Sequence, residues 1–89
     1  MFRKRITFYG RVQGVGFRYH AQHAADALGL TGWVCNEYDG SVTMEIQGNE
    51  AMIDRIIQML DNDMYIDIHS MDSKTLPIIE NERTFCVRY

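Results

Sequence analysis

The hydrophobic period of this chain changes from two to about 3.6 across one short segment, and that change limits the fold more than any other feature. Before it, Arg5 to Tyr9 alternates, with Ile6 and Phe8 on one side and Thr7 and Tyr9 on the other. After it, Phe17, Ala21, Ala24, Ala25 and Leu28 fall at i, i+4, i+7, i+8 and i+11, which is one face of a helix. The residues between, Gly10-Arg11-Val12-Gln13-Gly14-Val15-Gly16-Phe17-Arg18, therefore form a strand-to-helix loop. Its glycines let the backbone turn tightly and come close to a ligand, because Gly accepts positive φ without steric cost. No proline removes an N–H between Arg11 and Arg18. Several such donors at a helix N-terminus, with its partial positive charge, make an anion site, and phosphate is the first candidate. Arg18 falls in the first helical turn, where a cation opposes the helix dipole; a shared anion accounts for it.

Gly29 stands where a left-handed residue closes the first helix. Gly32 to Tyr38 and Ser41 to Gln47 predict two further strands, joined through the hairpin turn signal Tyr38-Asp39-Gly40-Ser41. In the second of these, Val42, Met44 and Ile46 alternate with Thr43, Glu45 and Gln47, so one face is expected to be buried and the other wet. Asn49 is a good N-cap, and Ile53, Ile56, Ile57 and Leu60 supply the apolar stripe of a second helix ending near Asp61. Met64 to Met71 predicts a strand with Ile66 and Ile68 inward, and Thr84 to Tyr89 a last one with Phe85 and Val87. The piece between, with Pro77 and the charged run Glu80 to Arg83, reads as loop. The order is βαββαβ with a short extra C-terminal strand. It predicts an α+β fold, a two-layer α/β sandwich of the ferredoxin-like kind. Such a fold hosts many functions and selects none.

Composition narrows the function classes. A chain of 89 residues makes one domain, 1–89, that buries about 60–65% of its unfolded surface. With 46% hydrophobic and 24% charged residues it should hold a real core. A net charge of −3 gives counterion release little to act on, which argues against a nucleic-acid partner. No apolar run approaches the ~20 residues a bilayer span needs, and no apolar stretch follows the N-terminal Met-Phe-Arg-Lys-Arg. A cytoplasmic monomer without membrane partners is expected. Cys35 and Cys86 then read as small apolar strand residues rather than as a disulfide, and neither has a metal-ligand partner in spacing. His20 and His23 stand at i, i+3 without a third ligand to follow; Glu37 and Asp39 suit a solvated hairpin end, and His69 an exposed strand face. The six methionines suit packing.

The wording of the chain adds a resemblance. Gly10 to Arg18, then Leu28-Gly-Leu-Thr-Gly-Trp-Val-Cys-Asn36, Asp39-Gly40, Gln47-Gly48 and Phe85-Cys-Val-Arg-Tyr89, closely resembles the acylphosphatase family over nearly the full length. Taken alone, Asn36 is a strand-end turn former. The resemblance implies that Asn36 orients an attacking water, that Arg18 binds the substrate phosphate, and that the loop Arg11, Val12, Gln13, Gly14, Val15, Gly16 and Phe17 cradles it. The implied reaction cleaves the carboxyl-phosphate anhydride of an acyl phosphate to a carboxylate and inorganic phosphate, the latter being product and competitive inhibitor. The leaving carboxylate has a conjugate acid of pKa about 4 and departs unprotonated, so no general acid is required. Positioning and charge stabilisation carry phosphoryl transfer, so neither metal nor cofactor is called for.

Two departures from the family pattern stand out. Cys35 occupies a position often polar or basic in relatives, where it would touch substrate access, and Asn62 to Arg83 matches poorly and looks shortened. Three other readings compete. A non-enzymatic ferredoxin-like module could bind an anion or a partner with the same loop but makes no demand on Asn36. An RNA-recognition module lacks here both sheet aromatics and basic charge. The acylphosphatase-like domain of carbamoyl-transfer maturation proteins belongs to much longer chains.

Overall fold

The computed structural model describes residues 1–89. Strand β1 (Phe2–Arg11) leads through the glycine loop to helix α1 (Phe17–Leu28). There follow β2 (Thr31–Asn36), β3 (Val42–Gly48), α2 (Glu50–Asp61), β4 (Asp67–Leu76) and β5 (Phe85–Arg88). The strands form one sheet in the order β4-β1-β3-β2-β5. All pairings are antiparallel except β2 with β5. This is the predicted ferredoxin-like βαββαβ order with a short fifth strand. Both helices lie on one face, where Ile6 and Phe8 of β1, Met44 and Ile46 of β3, and Ile53 and Ile56 of α2 are fully buried. Phe8 meets Phe17 with ring centroids 4.9 Å apart, so the end of β1 and the start of α1 are pinned to each other. Gly29 closes α1 in the left-handed conformation, and Asn49 caps α2 by accepting the Ala51 N–H at 2.8 Å.

Element boundaries depart from expectation where burial does not alternate. β1 runs from Phe2 to Arg11 rather than from Arg5 to Tyr9, and β2 ends at Asn36, two residues before Tyr38. The largest correction concerns the strand expected at Met64 to Met71, which instead spans Asp67–Leu76. Met64 and Tyr65 lie in an exposed turn before it, and Ile66 is buried just outside it. β4 is an edge strand, hydrogen-bonded only to β1 and exposed along nearly all its length. Its inward residues therefore need not be apolar, and Asp72 to Leu76 gives no periodic signal. The loop begins only at Pro77, which has no N–H to continue a ladder.

A second correction concerns the outer face of β3, expected to be wet. Thr43 is 3% exposed and Gln47 5%. Thr43 donates to Glu37 at 3.0 Å, and the segment after β4 folds back over Gln47, which bonds the backbone of Ile79 in both directions, at 2.9 Å each. Beneath it Arg3 is 1% exposed. Its guanidinium donates to Glu82 at 2.7 Å, to Glu45 at 3.0 Å and to Gln47 at 3.2 Å. Burial opposes the Arg3 charge, but hydrogen bonds and Coulombic attraction from Glu82 and Glu45 outweigh it and hold the pKa above the ordinary arginine value. Removing one partner of a buried charge cluster leaves the others uncompensated, so Arg3→Ala should lower unfolding free energy by about 3 kcal/mol. Arg5 is half exposed and stands 3.7 Å from the same Glu45; Arg5→Ala should cost under about 1 kcal/mol. Urea denaturation of the two variants checks this, and equal costs would show that the buried Arg3 cluster contributes no more than the exposed pair.

Candidate active site

The loop between β1 and α1 is held by its two ends. Val12 is fully buried and Phe17 is 2% exposed, so their side chains belong to the core. Between them Gly14 and Gly16 take φ of 72° and 80°, values a β-carbon disfavours. This turns the backbone so that no N–H from Gln13 to Tyr19 donates within the protein; the first bond of α1 runs from the His20 N–H to the Gly16 carbonyl at 3.0 Å. No side chain caps α1 and no acidic residue lies in its first turn. A row of free amides and the positive end of a helix dipole thus face outward together, an arrangement suited to an anion.

Gln13 fixes where that row sits. Its carboxamide N–H donates to the Glu37 carbonyl at 2.7 Å and to the Ser41 carbonyl at 2.9 Å, tying the loop to the β2–β3 hairpin. The hairpin is itself firm. Asp39 accepts from the Ser41 hydroxyl at 2.6 Å and from its N–H at 2.9 Å, bonds that hold the Asp39 pKa below its ordinary value. Asn36 ends β2 beside this turn, half-buried, with its side-chain amide bonded to no protein group. Arg18 is half-buried, its guanidinium 4.8 Å from the centre of the Tyr89 ring and 3.4 Å from the Arg88 carbonyl. A cleft of about 280 Å³ is lined by Gly14, Gly16, Arg18 and Asn36, with Tyr19, Val87 and Tyr89 on its flank.

Of the residues expected at the site, Val12, Gly14, Gly16, Phe17, Arg18 and Asn36 are brought together around this cleft, while Gln13 ties the loop to the hairpin. Val12 and Phe17 take part only through their backbone. Arg11 lies apart from them: it is the last residue of β1, in register with Asp67, and with Val15 it lines a separate cleft on the other side of the loop. Cys35 lines neither cleft. It projects on the opposite face of the sheet, in register with Thr43, and so does not touch access to Asn36. Cys35 and Cys86 are both free thiols. His20 pairs with Asp63 at 3.3 Å while the His23 ring packs on Tyr19 at 4.2 Å, and Glu37 accepts from Thr43 at 3.0 Å.

A model of the acylphosphatase family matches residues 4–87. A curated acylphosphatase of Geobacillus kaustophilus is 39% identical over 90 aligned positions, covering 100% of this chain and 96% of the relative. One of Clostridium beijerinckii is 36% identical with both chains fully covered. The crystal structure of the Bacillus subtilis acylphosphatase superposes with a TM-score of 0.91 at 33% identity over the whole of both chains. The chain belongs to the acylphosphatase family. Acyl phosphate hydrolysis, on a small-molecule substrate, comes with that membership.

Two features of this acylphosphatase cleft escaped the sequence. Gln13 stood among the loop residues, but a side chain that reaches back to two carbonyls 24 and 28 residues on has no local signature. Val87 and Tyr89 flank the cleft because β5 adds to β2 in parallel, a pairing that periodicity does not reveal. Because Gln13 satisfies two carbonyls and sets the loop, Gln13→Ala should lower stability by about 1–2 kcal/mol. It should also shrink the rise in melting temperature produced by added phosphate. Thermal melts with and without phosphate measure both, and an unchanged phosphate response would show that the loop holds its shape without Gln13.

Proposed function

We propose that this enzyme hydrolyses acyl phosphates without a metal, holding the phosphoryl group with the loop amides and Arg18 and orienting the attacking water with Asn36. The observation that carries the reading is the convergence on one cleft of unpaired amides, an arginine and an unpaired carboxamide from three separate elements. The amides and guanidinium stabilise charge on the phosphoryl oxygens, and Asn36 holds water in line with the scissile bond. The carboxylate leaves unprotonated, and the water's proton passes to a phosphoryl oxygen, so no side chain is needed as acid or base. Inorganic phosphate, the product, occupies the same amides and inhibits competitively.

Purified protein should turn over benzoyl phosphate with chelator present and leave an alkyl phosphate monoester untouched, since an alkoxide departs poorly without an acid. Loss of activity with chelator would overturn the metal-free mechanism. Asn36→Ala should lower kcat by roughly 10² or more while the phosphate inhibition constant stays nearly as it was, the signature of a group used only in the transition state. A parallel fall in both would make Asn36 a binding residue. Arg18 offers a planar fork to two phosphoryl oxygens, which a lysine cannot reproduce. Arg18→Lys should therefore lower kcat/KM by roughly 10² to 10⁴ with little change in melting temperature. A lysine variant within a few-fold of wild type would remove the bidentate role.

A further inference from the structure

The second cleft, about 610 Å³, lies on the other side of the glycine loop and is lined by Val15, Met64, Tyr65 and Ile66, with Arg11 and Asp67 at its rim. Gly14 lines both clefts, so the two adjoin at the loop. Their placement follows from the sheet order. The loop leaves the end of β1; β2, which ends in Asn36, lies two strands away on one side, and β4, which begins at Asp67, is the neighbour on the other. At ~4.8 Å per strand, Asn36 and the Met64–Asp67 turn flank the loop from opposite directions.

We infer that the acyl part of the substrate docks in this second cleft, and that the cleft selects an apolar, preferably aromatic, acyl group. The inference rests on the proposed function, because in-line displacement turns the position of Asn36 into a direction. Water held by Asn36 bonds to phosphorus through its oxygen. The P–O bond to the acyl group breaks on the opposite side, its electron pair passes to the departing carboxylate, and the water's proton goes to a phosphoryl oxygen. The acyl group therefore points away from Asn36, toward β4. There Met64 is 83% exposed and Tyr65 65% exposed, two large side chains that the core does not use. Their turn is fixed, because the Asp63 carboxylate accepts the Tyr65 N–H at 2.8 Å. Asp67 stands opposite Arg11 in the β1–β4 register and its carboxylate meets His69 at 3.2 Å, so the rim carries a charge of each sign and has little net attraction for a second anionic group on the substrate.

Two measurements test this. Tyr65→Ala combined with Met64→Ala removes the apolar wall from an exposed turn. It should lower the ratio of kcat/KM for benzoyl phosphate over acetyl phosphate roughly tenfold, the loss expected for uncovering about one face of an aromatic ring. A ratio within twofold of wild type would overturn the inference. Binding of hydrolysis-resistant analogues, followed by amide resonances in NMR, gives a readout independent of turnover. Benzoylphosphonate should shift the amides of Gln13 to Arg18 and also those of Met64 to Ile66, whereas acetylphosphonate should shift the loop alone. Loop shifts without Met64–Ile66 shifts, or with shifts at Tyr19 and Gln22 in their place, would overturn the acyl site and leave the phosphate site standing. No loop shift with either analogue would overturn the proposed function and this inference with it.

Discussion

Burial of Val12 and Phe17 on either side of a left-handed glycine turn is the constraint from which the cleft follows. Each side chain is in the core, so the backbone between them cannot swing, and the turn at Gly14 and Gly16 faces the amides of that stretch away from the protein. Seven N–H groups, Gln13 to Tyr19, lack an internal acceptor. In a mobile loop water would satisfy them and an anion would have to order the loop on binding. Here the core has ordered the loop beforehand, so the attraction of amides and helix dipole for an anion is not spent on conformational entropy. The apolar residues of the motif are thus as necessary as its glycines, and for a different reason.

The opposite face of the sheet carries the matching constraint. Without a helix there, the polar sides of β1 and β3 would meet water, and the long connection from β4 to β5 would have nothing to pack on. Arg3 resolves both. It pairs with Glu45 on the neighbouring strand and with Glu82 on the connection, and Glu82 also accepts from Thr31 of β2 at 2.8 Å. One buried cation therefore joins β1, β3, β2 and the segment leading into β5, the strand that flanks the cleft.

These two constraints were not equally legible. The switch of period around Gly10 to Phe17 exposes β1, α1 and the loop together, because helix and strand bury different spacings of residues. The Arg3 cluster is opaque: Phe2-Arg3-Lys4-Arg5 resembles a solvated basic end, and the partner Glu82 lies 79 residues away. β4 was displaced for a related reason. An edge strand with both faces largely exposed has no apolar alternation to detect, while Met64, Tyr65 and Ile66 supply apolar residues to a turn. Arg11 reads as loop because its neighbours do; the β1–β4 ladder, which runs on to the Arg11–Asp67 pair past a bulge at Tyr9 and Gly10, claims it for the strand. The types of the site residues were readable, but their grouping into two clefts required the strand order.

That grouping also explains why Gln13 matters beyond its two hydrogen bonds. The loop follows β1 and Asn36 ends β2, with β3 between them, so nothing in the local backbone sets the distance between amides and carboxamide. Flexing of the sheet end would alter it directly. Gln13 crosses that gap, and one of the carbonyls it binds belongs to Glu37, the residue next to Asn36. The other belongs to Ser41, whose carbonyl also accepts the Glu37 N–H at 2.8 Å, closing the hairpin. A single side chain thus locates the anion-facing loop relative to the residue proposed to hold the water. In a reaction that depends on in-line geometry rather than on an acid or base, such a link acts on the one quantity the enzyme has to control.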